Sequence, residues 1–350
     1  MFEAYKSVLK KDHSKSTFGF GIVGRIPLAM NTVALVFFIS TVRGSFALAG
    51  LASSCYTIAG ALVGPRIGRL ADLRGTRKVL LPVSIANVFA VVGVLTLGEK
   101  NTFALLLFSA LAGGTFPNFG SYTRTRWSRS LTNERHLSAA LSLESVLDET
   151  AFVIGPALAG FLFAWGGAHS PLLSGVVFLL VGAIGLAITS NDHDLKNEVE
   201  EEHGGLLRIP YVKSLLATLI CIGLTFGAQY VVILAVAKEG GRAAEGGLWV
   251  GLNPIGSTIM GVLYGFIHWK ISAAKRLTVS LVLMSCGTLG LVIFKNYQTI
   301  ILWLIIAGLG IAPALISANQ RLKDLIPVNR LNEAFSMLGA SISFGITIGA

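Results

Sequence analysis

Long apolar runs that recur along the whole chain are the feature that most constrains its fold. Each run is about 20 residues long, the length that an α-helix needs to cross the ~30 Å hydrocarbon core of a bilayer. Short connections that are charged or contain Gly and Pro separate the runs. We predict eleven membrane segments, at residues 17–42, 46–66, 79–98, 102–123, 138–164, 170–190, 212–237, 247–268, 275–295, 298–320 and 332 onward. The predicted fold class is an all-α polytopic membrane protein.

The charged residues agree with this interpretation. Only 13% of the residues are charged and 53% are hydrophobic, whereas about a quarter of the residues of a soluble protein are charged. The net charge of +10 could suggest nucleic acid, but no nucleic-acid partner is expected because the basic residues follow membrane topology. If the N-terminus is cytoplasmic, 22 of the 28 Lys and Arg residues lie on the cytoplasmic side and five on the other. The positive-inside rule therefore predicts a multi-pass plasma-membrane protein with a cytoplasmic N-terminus.

The two halves of the chain resemble each other. An offset of 195 residues lays Arg330 on Arg135, and an offset of 197 lays Gly265 on Gly68. Parallel six-helix repeats are a known transporter construction. We predict an N-terminal half at 1–190, a cytoplasmic linker at 191–211 with a solvated acidic run, and an incomplete C-terminal half at 212–350. By the same offset, helix 11 is expected to be unfinished and helix 12 missing, so roughly 40 further residues should follow.

The connection after the second segment carries a motif with a specific spacing. Residues 68–78 read GRLADLRGTRK, which resembles the cytoplasmic loop motif G-x-L-a-D-[RK]-x-G-[RK]-[RK] of the major facilitator superfamily. Leu73 and Thr76 depart from that pattern, so the basic pair is displaced. The candidate gating residues of this loop are Gly68, Asp72, Arg74, Gly75, Arg77 and Lys78. The resemblance implies a bundle of two six-helix halves and a transporter that works by alternating access.

The physical properties of three of these residues explain why the motif contains them. Gly68 lets helices pack closely, Gly75 permits a tight turn, and the Asp72 carboxylate can accept hydrogen bonds from a helix N-terminus. In the family, the corresponding Asp steadies one conformation by meeting helix 11 across the two halves, and the resemblance implies that role for Asp72. Trp269 replaces the acid in the second half, so the same latch is not expected there. The alternative is a plain basic loop, which accounts for the basic pair but not for an acid between two glycines.

The fifth segment contains the sequence Gly155-Pro156, followed by Gly160. This stretch is similar to the G-P-x-x-G-G core of a motif associated with exporters in the same superfamily, with Ala159 in place of one glycine. Leu147 occupies the position of an earlier glycine of that motif. A proline bends a membrane helix because it removes one backbone donor, and small neighbours permit close packing at the bend. The resemblance favours export over nutrient uptake, although Gly-Pro pairs also occur in membrane helices generally.

The same segment carries three acids, Glu144, Asp148 and Glu149, within an apolar frame. Charges inside a membrane are costly and tend to be functional. Glu144 and Asp148 are four residues apart and share a helix face, while Glu149 is turned by about 100° from Asp148. Arg25 of the first segment is expected at a similar depth and is a candidate partner.

Two interpretations of these charges remain open. A carboxylate that exchanges its proton for an Arg25 partner would couple helix movement to protons. A fixed ion pair would instead brace the helices, or the acids could neutralise Arg124, Arg126 and Arg129 at the end of the fourth segment.

Other polar residues within the segments are weaker candidates. Asn31, Gln229 and Asn253 are candidates to face a solute cavity, or else to hydrogen-bond a neighbouring helix. The cysteines and histidines show no metal-ligand or disulfide spacing, so no metal or cofactor is expected. There is no phosphate-binding loop that ends in Gly-Lys-Ser/Thr, and an ion or substrate gradient is therefore the expected energy source.

The sequence thus predicts a secondary active transporter of a small solute, a proton-coupled exporter that acts as a monomer in the bilayer. One alternative is an uptake carrier for a sugar or metabolite with the same fold. Another is a membrane-embedded enzyme that modifies lipids, for which a metal-binding acidic motif or a nucleophile–base pair would be expected. Neither pattern is visible in the sequence.

Overall fold

Helices make up almost all of the computed structural model, which describes residues 3–11, 13–189, 205–239, 243–294 and 297–349. The α-helices of these ranges are α1 (Glu3–Lys10), α2 (Ser14–Arg43), α3 (Phe46–Arg74), α4 (Thr76–Thr96), α5 (Thr102–Gly114), α6 (Phe119–Ser130), α7 (Glu134–Gly166), α8 (Ser170–Thr189), α9 (Val212–Glu239), α10 (Ala243–Phe266), α11 (Ala273–Ile293), α12 (Tyr297–Leu325) and α13 (Leu331–Gly349). Within the described residues, nine stretches are long and apolar enough to cross a membrane. The predicted all-α membrane fold is confirmed.

The eleven predicted segments correspond to α2, α3, α4, α5 with α6, and α7 to α13. The predicted segment at 102–123 lies within one candidate membrane span, Thr102–Ser130, which is interrupted between the end of α5 at Gly114 and the start of α6 at Phe119. Pro117 lies in the break, where a residue without a backbone N–H cannot continue the helical ladder. The short helix α1 was not predicted. The acidic run of the predicted linker, at 198–202, lies outside the described residues.

The motif at 68–78 is helical rather than a loop, so that expectation was wrong. Residues 68–74 form the last two turns of α3, and α4 begins at Thr76. Gly75 alone makes the turn, with φ 93° and ψ 143°, a conformation that a residue with a Cβ rarely adopts. Its N–H bonds to the carbonyl of Ala71 at 3.0 Å. The motif therefore presents its side chains from two rigid helix ends.

One end of the bundle, here called the basic face, gathers the α3–α4, α6–α7, α10–α11 and α12–α13 connections. Arg129 at the end of α6 donates from Nη2 to the Val328 carbonyl between α12 and α13, at 3.0 Å. Arg135 at the start of α7 donates from Nε to His268 Nδ1 between α10 and α11, at 2.7 Å. These contacts place connections of the first and second halves side by side.

The opposite face is held by contacts within the first half. Arg43 at the end of α2 donates to the Glu99 carbonyl and to Thr102 Oγ1, both at 2.9 Å. His169, before α8, lies 2.7 Å from the Glu99 carboxylate. The α2–α3, α4–α5 and α7–α8 connections therefore share this end of the bundle.

Each half has its own apolar core. One cluster of buried side chains joins α2, α3, α4, α5 and α8, and another joins α9, α11, α12 and α13. A third cluster, which includes Trp127 and Tyr264, spans both halves at the basic face. Most of the buried apolar side chains that the structure describes therefore pack within one half, and the cluster at the basic face packs the two halves together.

Two helix crossings between the halves are related by the sequence repeat. A Cβ added to Gly68 of α3 would lie 2.6 Å from the Asn332 carbonyl oxygen and 2.9 Å from Ser336 Oγ of α13. A Cβ added to Gly265 of α10 would lie 2.1 Å from the Tyr5 hydroxyl of α1 and 3.1 Å from Ser142 Oγ of α7. Gly68 matches Gly265 in the repeat, and α7 matches α13. A glycine thus lies at both crossings, where α3 of the first half packs on α13 of the second and α10 of the second half packs on α7 of the first.

Labelling with a membrane-impermeant maleimide tests the orientation of the basic face. In a variant whose native cysteines are replaced by serine, a cysteine is introduced at an exposed position, as Lys78→Cys, Lys275→Cys or Lys100→Cys. We expect intact cells to be labelled only through Lys100→Cys, because the positive-inside rule puts the other two in the cytoplasm. Permeabilised cells, labelled at all three sites, are the control. The reverse pattern in intact cells would contradict the predicted orientation.

Candidate functional site

The Asp72 carboxylate joins the two halves at the basic face. Its Oδ1 accepts the backbone N–H of Asn332 at 3.1 Å, and its Oδ2 accepts that of Glu333 at 2.9 Å. The Asn332 side-chain amide donates a third bond to Oδ1, at 3.0 Å. These N–H groups belong to the first turn of α13, where backbone donors lack helical partners and the dipole favours an anion. Asp72 therefore caps a helix of the other half from a buried position.

Arg129 compensates the buried charge of Asp72. Its Nη2 donates to Asp72 Oδ1 at 3.0 Å and to the Val328 carbonyl at 3.0 Å. A buried carboxylate without a cation would be strongly destabilising, so Arg129 belongs to the same unit. We call this unit the latch, composed of Asp72, Arg129, Val328, Asn332 and Glu333.

The other predicted gating residues lie around the latch. Gly68 forms the α3–α13 crossing and Gly75 forms the turn, as described above. Arg74, Arg77 and Lys78 are exposed at the basic face. The structure thus brings Gly68 and Asp72 to the interface between the halves and leaves the three basic side chains at the surface.

The second-half counterpart of the latch is aromatic. The Trp269 indole N–H donates to the Tyr264 carbonyl at 3.1 Å, and Arg276 Nη1 donates to the Tyr264 hydroxyl at 2.7 Å. The Arg276 guanidinium lies over both rings, 5.6 Å from the Tyr264 centroid and 5.7 Å from that of Trp269. At this position the second half therefore has a cation–π contact within itself, whereas the first half has an acid that caps a helix of the other half.

The second part of the site is the acid cluster, which lies between α2, α6 and α7. Glu144 of α7 is fully buried and forms an ion pair with Arg25 of α2. The Thr123 hydroxyl donates to Glu144 Oε2 at 2.6 Å, and the Trp127 indole N–H donates to Oε1 at 2.7 Å. Both carboxylate oxygens therefore have partners, as a buried charge requires.

Asp148 lies one turn further along α7, between two arginines. Its Oδ1 is 3.3 Å from Arg25 Nε, and its Oδ2 accepts a hydrogen bond from Arg124 of α6. The Asp148 side chain is 30% exposed, whereas that of Glu144 is not exposed at all. A Cβ added to Gly120 would lie 2.5 Å from Arg124 Nη1, so the small residue makes room for this guanidinium. Asp148 is the more accessible of the two acids that face the arginines.

Glu149 points toward the other half. Its Oε1 accepts a hydrogen bond from the Ser257 hydroxyl of α10 at 2.6 Å, and Ser257 is fully buried. The 100° step along the helix separates it from Asp148, as the helical period dictates. The three acids of α7 thus occupy three environments: a saturated site, a site shared by two arginines, and an interface between the halves.

The predicted bend of α7 lies against α2. A Cβ added to Gly155 would lie 3.0 Å from the Met30 backbone nitrogen and 3.1 Å from the Ile26 carbonyl oxygen. Pro156 follows within the helix. A Cβ on Gly160 would meet no heavy atom within 4 Å. Close packing at this motif therefore depends on Gly155, and Gly160 leaves open space.

The three predicted cavity residues do not form a single group. Gln229 of α9 donates to Thr288 Oγ1 of α11 at 2.7 Å and accepts from the Asn253 amide of α10 at 2.8 Å. Asn31 lies in the first half and donates to the Tyr56 hydroxyl at 3.4 Å. Gln229 and Asn253 thus tie three helices of the second half together. Among the described residues, no group of His, Cys, Asp and Glu could hold a metal ion.

Sequence reasoning did not identify several residues of the site. Thr123 and Trp127 are four residues apart and share one face of α6, a spacing that could have identified them as partners for a buried acid. Ser257 carried no comparable signal, because its partner Glu149 is on a helix distant in sequence. Arg124 was one of three arginines that the acids of α7 were expected to neutralise, and the structure places it against Asp148, whereas Arg129 pairs with Asp72 instead.

Comparison with known proteins agrees with this architecture. The sequence profile described as Major Facilitator Superfamily matches residues 18–350. Multidrug resistance protein 1 of Bacillus subtilis (strain 168) is 28% identical over 183 residues, which are 51% of this chain and 46% of that protein. The chain therefore spans about half the length of the curated relative that it matches.

Two solved structures share the fold. One is a bacterial homologue of the iron transporter ferroportin in an outward-facing state, with a TM-score of 0.73 and 16% identity over 96% of this chain and 90% of that one. The other is the E. coli fucose:proton symporter, with a TM-score of 0.71 and 12% identity over 95% and 89% of the two chains. Because the profile covers nearly the whole sequence and the bundle is that of these carriers, the chain belongs to the major facilitator superfamily.

Proposed function

We propose that this protein is a secondary active transporter that exports a small solute in exchange for protons. The observation that carries the proposal is the latch, in which one buried carboxylate of the first half caps a helix of the second. All of these bonds end at the same carboxylate, so they form and break together. Such a contact stabilises one arrangement of two bodies and is lost in the other, as alternating access requires.

The latch can open without leaving a charge unpaired. Asp72 and Arg129 belong to the same half, so their ion pair can persist when α13 moves away. What would be lost are the bonds to Asn332, Glu333 and the Val328 carbonyl, all groups that water can satisfy. The cost of opening is therefore that of charge-assisted hydrogen bonds, about 1.5–3 kcal/mol for each, partly returned by hydration.

Asp148 supports the coupling of this movement to protons. Its side chain is partly accessible and binds arginines on two different helices, Arg25 of α2 and Arg124 of α6. A proton on this carboxylate would remove its attraction for both cations, and Arg25 would keep Glu144 as its partner. Protonation would thereby release Arg124 of α6 from Asp148, while Glu144 keeps its bonds to Arg25 of α2 and to Thr123 and Trp127 of α6.

Glu149 offers a path from this event to the other half. It is the residue after Asp148 on the same helix, and it accepts a hydrogen bond from Ser257 of α10. A small rotation of α7 that follows the release of Arg124 would move Glu149 relative to Ser257. The two acids would then link protonation to the interface between the halves, while Glu144 braces α2 and α7.

Two observations favour export. The relative with sequence similarity is a multidrug resistance protein, and the stretch from Gly155 to Gly160 is similar to an exporter motif. The alternative is an uptake carrier, and the fucose:proton symporter has the same fold. Membership of the superfamily indicates a transporter rather than an enzyme. The proposal includes a monomer in the plasma membrane with its N-terminus in the cytoplasm.

Replacing Asp72 by Asn tests the latch. An amide keeps the size of the side chain but removes the charge that α13 and Arg129 stabilise, so the closed basic face should lose about 2 kcal/mol. We expect the equilibrium between the two states to shift roughly 30-fold toward an open basic face. The distance between spin labels on the α3–α4 and α12–α13 connections measures this shift, and transport assays should show a lower rate.

The matched control for Asp72→Asn is Asp324→Asn. Asp324 is exposed near the end of α12, on the same side of the protein, and loses the same charge. Its replacement should leave the label distances and transport unchanged. Equal label distances in Asp72→Asn and the native protein would contradict the latch.

Replacing Asp148 by Asn tests proton coupling. The variant should lose proton-driven transport but retain counterflow of solute in proteoliposomes, because counterflow needs no net proton movement. Glu144→Gln should instead lower the stability of the protein by about 3 kcal/mol, since it leaves Arg25 buried with a weakened partner. Proton-driven transport that is undiminished in both variants would rule out coupling through this cluster.

Ser257→Ala separates the interface from the proton site. It removes the donor to Glu149 without changing any charge, so proton binding should persist and its coupling to solute movement should weaken. The number of protons moved per solute, measured with a pH-sensitive dye, should fall. Ser280→Ala is the control, because Ser280 is also buried and its hydroxyl donates only to the Arg276 carbonyl in its own helix. An unchanged proton-to-solute ratio in Ser257→Ala would exclude this path.

A further inference from the structure

A concave region that is separate from the latch and the acid cluster lies where α1 meets α2. It is a surface pocket of about 570 Å³. The polar side chains that line it include Lys6, Lys10, Lys11, His13, Ser14 and Lys15. Neither the latch nor any of the three acids of α7 contributes to it.

The charge of this pocket is strongly positive. Lys6, Lys10, Lys11 and Lys15 are all exposed around it. Lys11 is held in place by a hydrogen bond from its ammonium group to the Ser130 carbonyl at the end of α6. The segment before α2 contains two acids in its sequence, Glu3 and Asp12, against these four lysines. The pocket therefore favours an anionic ligand.

A buried hydroxyl without a partner points to the position of that anion. Ser14 lines the pocket and is only 1% exposed, yet its Oγ has no hydrogen-bond partner among the residues that the structure describes. A buried polar group is usually satisfied, so an unpaired hydroxyl beside a pocket suggests a bound group.

The start of α2 has no side-chain cap from the residue before it. His13 adopts a left-handed conformation, with φ 58°, and makes no capping hydrogen bond. The start of α11 on the same face differs, because the Ser272 side chain there accepts the backbone N–H of Lys275. The positive end of the α2 dipole therefore faces the pocket, where it favours a phosphate or a similar anion.

The length of α2 places the pocket among lipid headgroups. Its 30 residues extend over about 45 Å at 1.5 Å per residue, whereas the hydrocarbon core is ~30 Å thick. The exposed lysines at its start are costly in hydrocarbon, so the first turn lies outside the core. Leu9, next to the lysines, is an exposed apolar side chain that fits this boundary.

We propose that the pocket binds the phosphate group of an anionic phospholipid in the adjacent leaflet. The Ser14 hydroxyl donates to a phosphate oxygen, and the lysines neutralise its charge. Four cations disfavour lipids whose headgroup carries its own ammonium group, so phosphatidylglycerol is preferred over phosphatidylcholine. The site would fix the entry angle of α2, and it does not depend on the solute or on proton coupling.

Binding of phosphatidylglycerol to the purified full chain in detergent tests this site, measured by native mass spectrometry. The double variant Lys10→Gln with Lys15→Gln should bind about 30-fold more weakly, since each lysine near a membrane surface contributes a factor of about five. Ser14→Ala should weaken binding several-fold with no change in charge. The matched control is Lys270→Gln with Lys275→Gln, which removes two exposed lysines at the capped start of α11 and should bind normally.

Two results would overturn the proposal. Equal weakening in the control would mean that only total charge matters. Displacement of the lipid by inorganic phosphate at equal concentration would assign the pocket to a soluble anion instead. Preference for phosphatidylglycerol over both phosphatidylcholine and phosphate, lost in the two pocket variants alone, would establish the site.

Discussion

The capping of α13 by a carboxylate from α3 is the interaction on which the arrangement of the two halves depends. Helix ends carry unsatisfied N–H groups, and a buried end needs acceptors. Here the acceptor comes from the other half, so a protein group satisfies the start of α13 only when the halves meet at the basic face. Gly68 makes that meeting possible, because any side chain there would collide with the Asn332 carbonyl. The contact between α3 and α13 therefore requires both close packing at Gly68 and the hydrogen bonds to Asp72.

The duplication of the fold makes the difference between the two crossings informative. Both crossings use a glycine, but only the first half adds a charge. The second half has Trp269 in place of the acid, and its aromatic rings hold Arg276 within that half. The cap on α13 joins the two halves, and its hydrogen bonds break together when the halves separate. The cation–π contacts of Arg276 lie within the second half, so they can persist when the halves separate. The asymmetry of the sequence thus places the buried carboxylate that caps a helix across the interface in the first half, without a matching acid in the second.

The acid cluster shows how one helix can separate chemically similar groups. Glu144, Asp148 and Glu149 lie within six residues, yet the helical period directs them to different neighbours. Complete hydrogen bonding and burial suit Glu144 to a structural role. Access to solvent and two competing arginines suit Asp148 to a change of charge. The two interpretations of the cluster therefore apply to different residues: Glu144 suits bracing, and Asp148 suits proton coupling.

The sequence by itself determined the membrane segments, the duplication and the family, because apolar length, repeat offset and the spacing around Asp72 depend only on the order of the residues. It also indicated that Arg25 and the acids of α7 share a depth, since helix rise converts residue number into distance. Only the tertiary structure decided which side chains meet: Asp72 with Arg129, Glu144 with Trp127, and Glu149 with Ser257. These pairs join helices whose separation and rotation depend on the packing of the whole bundle. No pattern within a single segment contains that information.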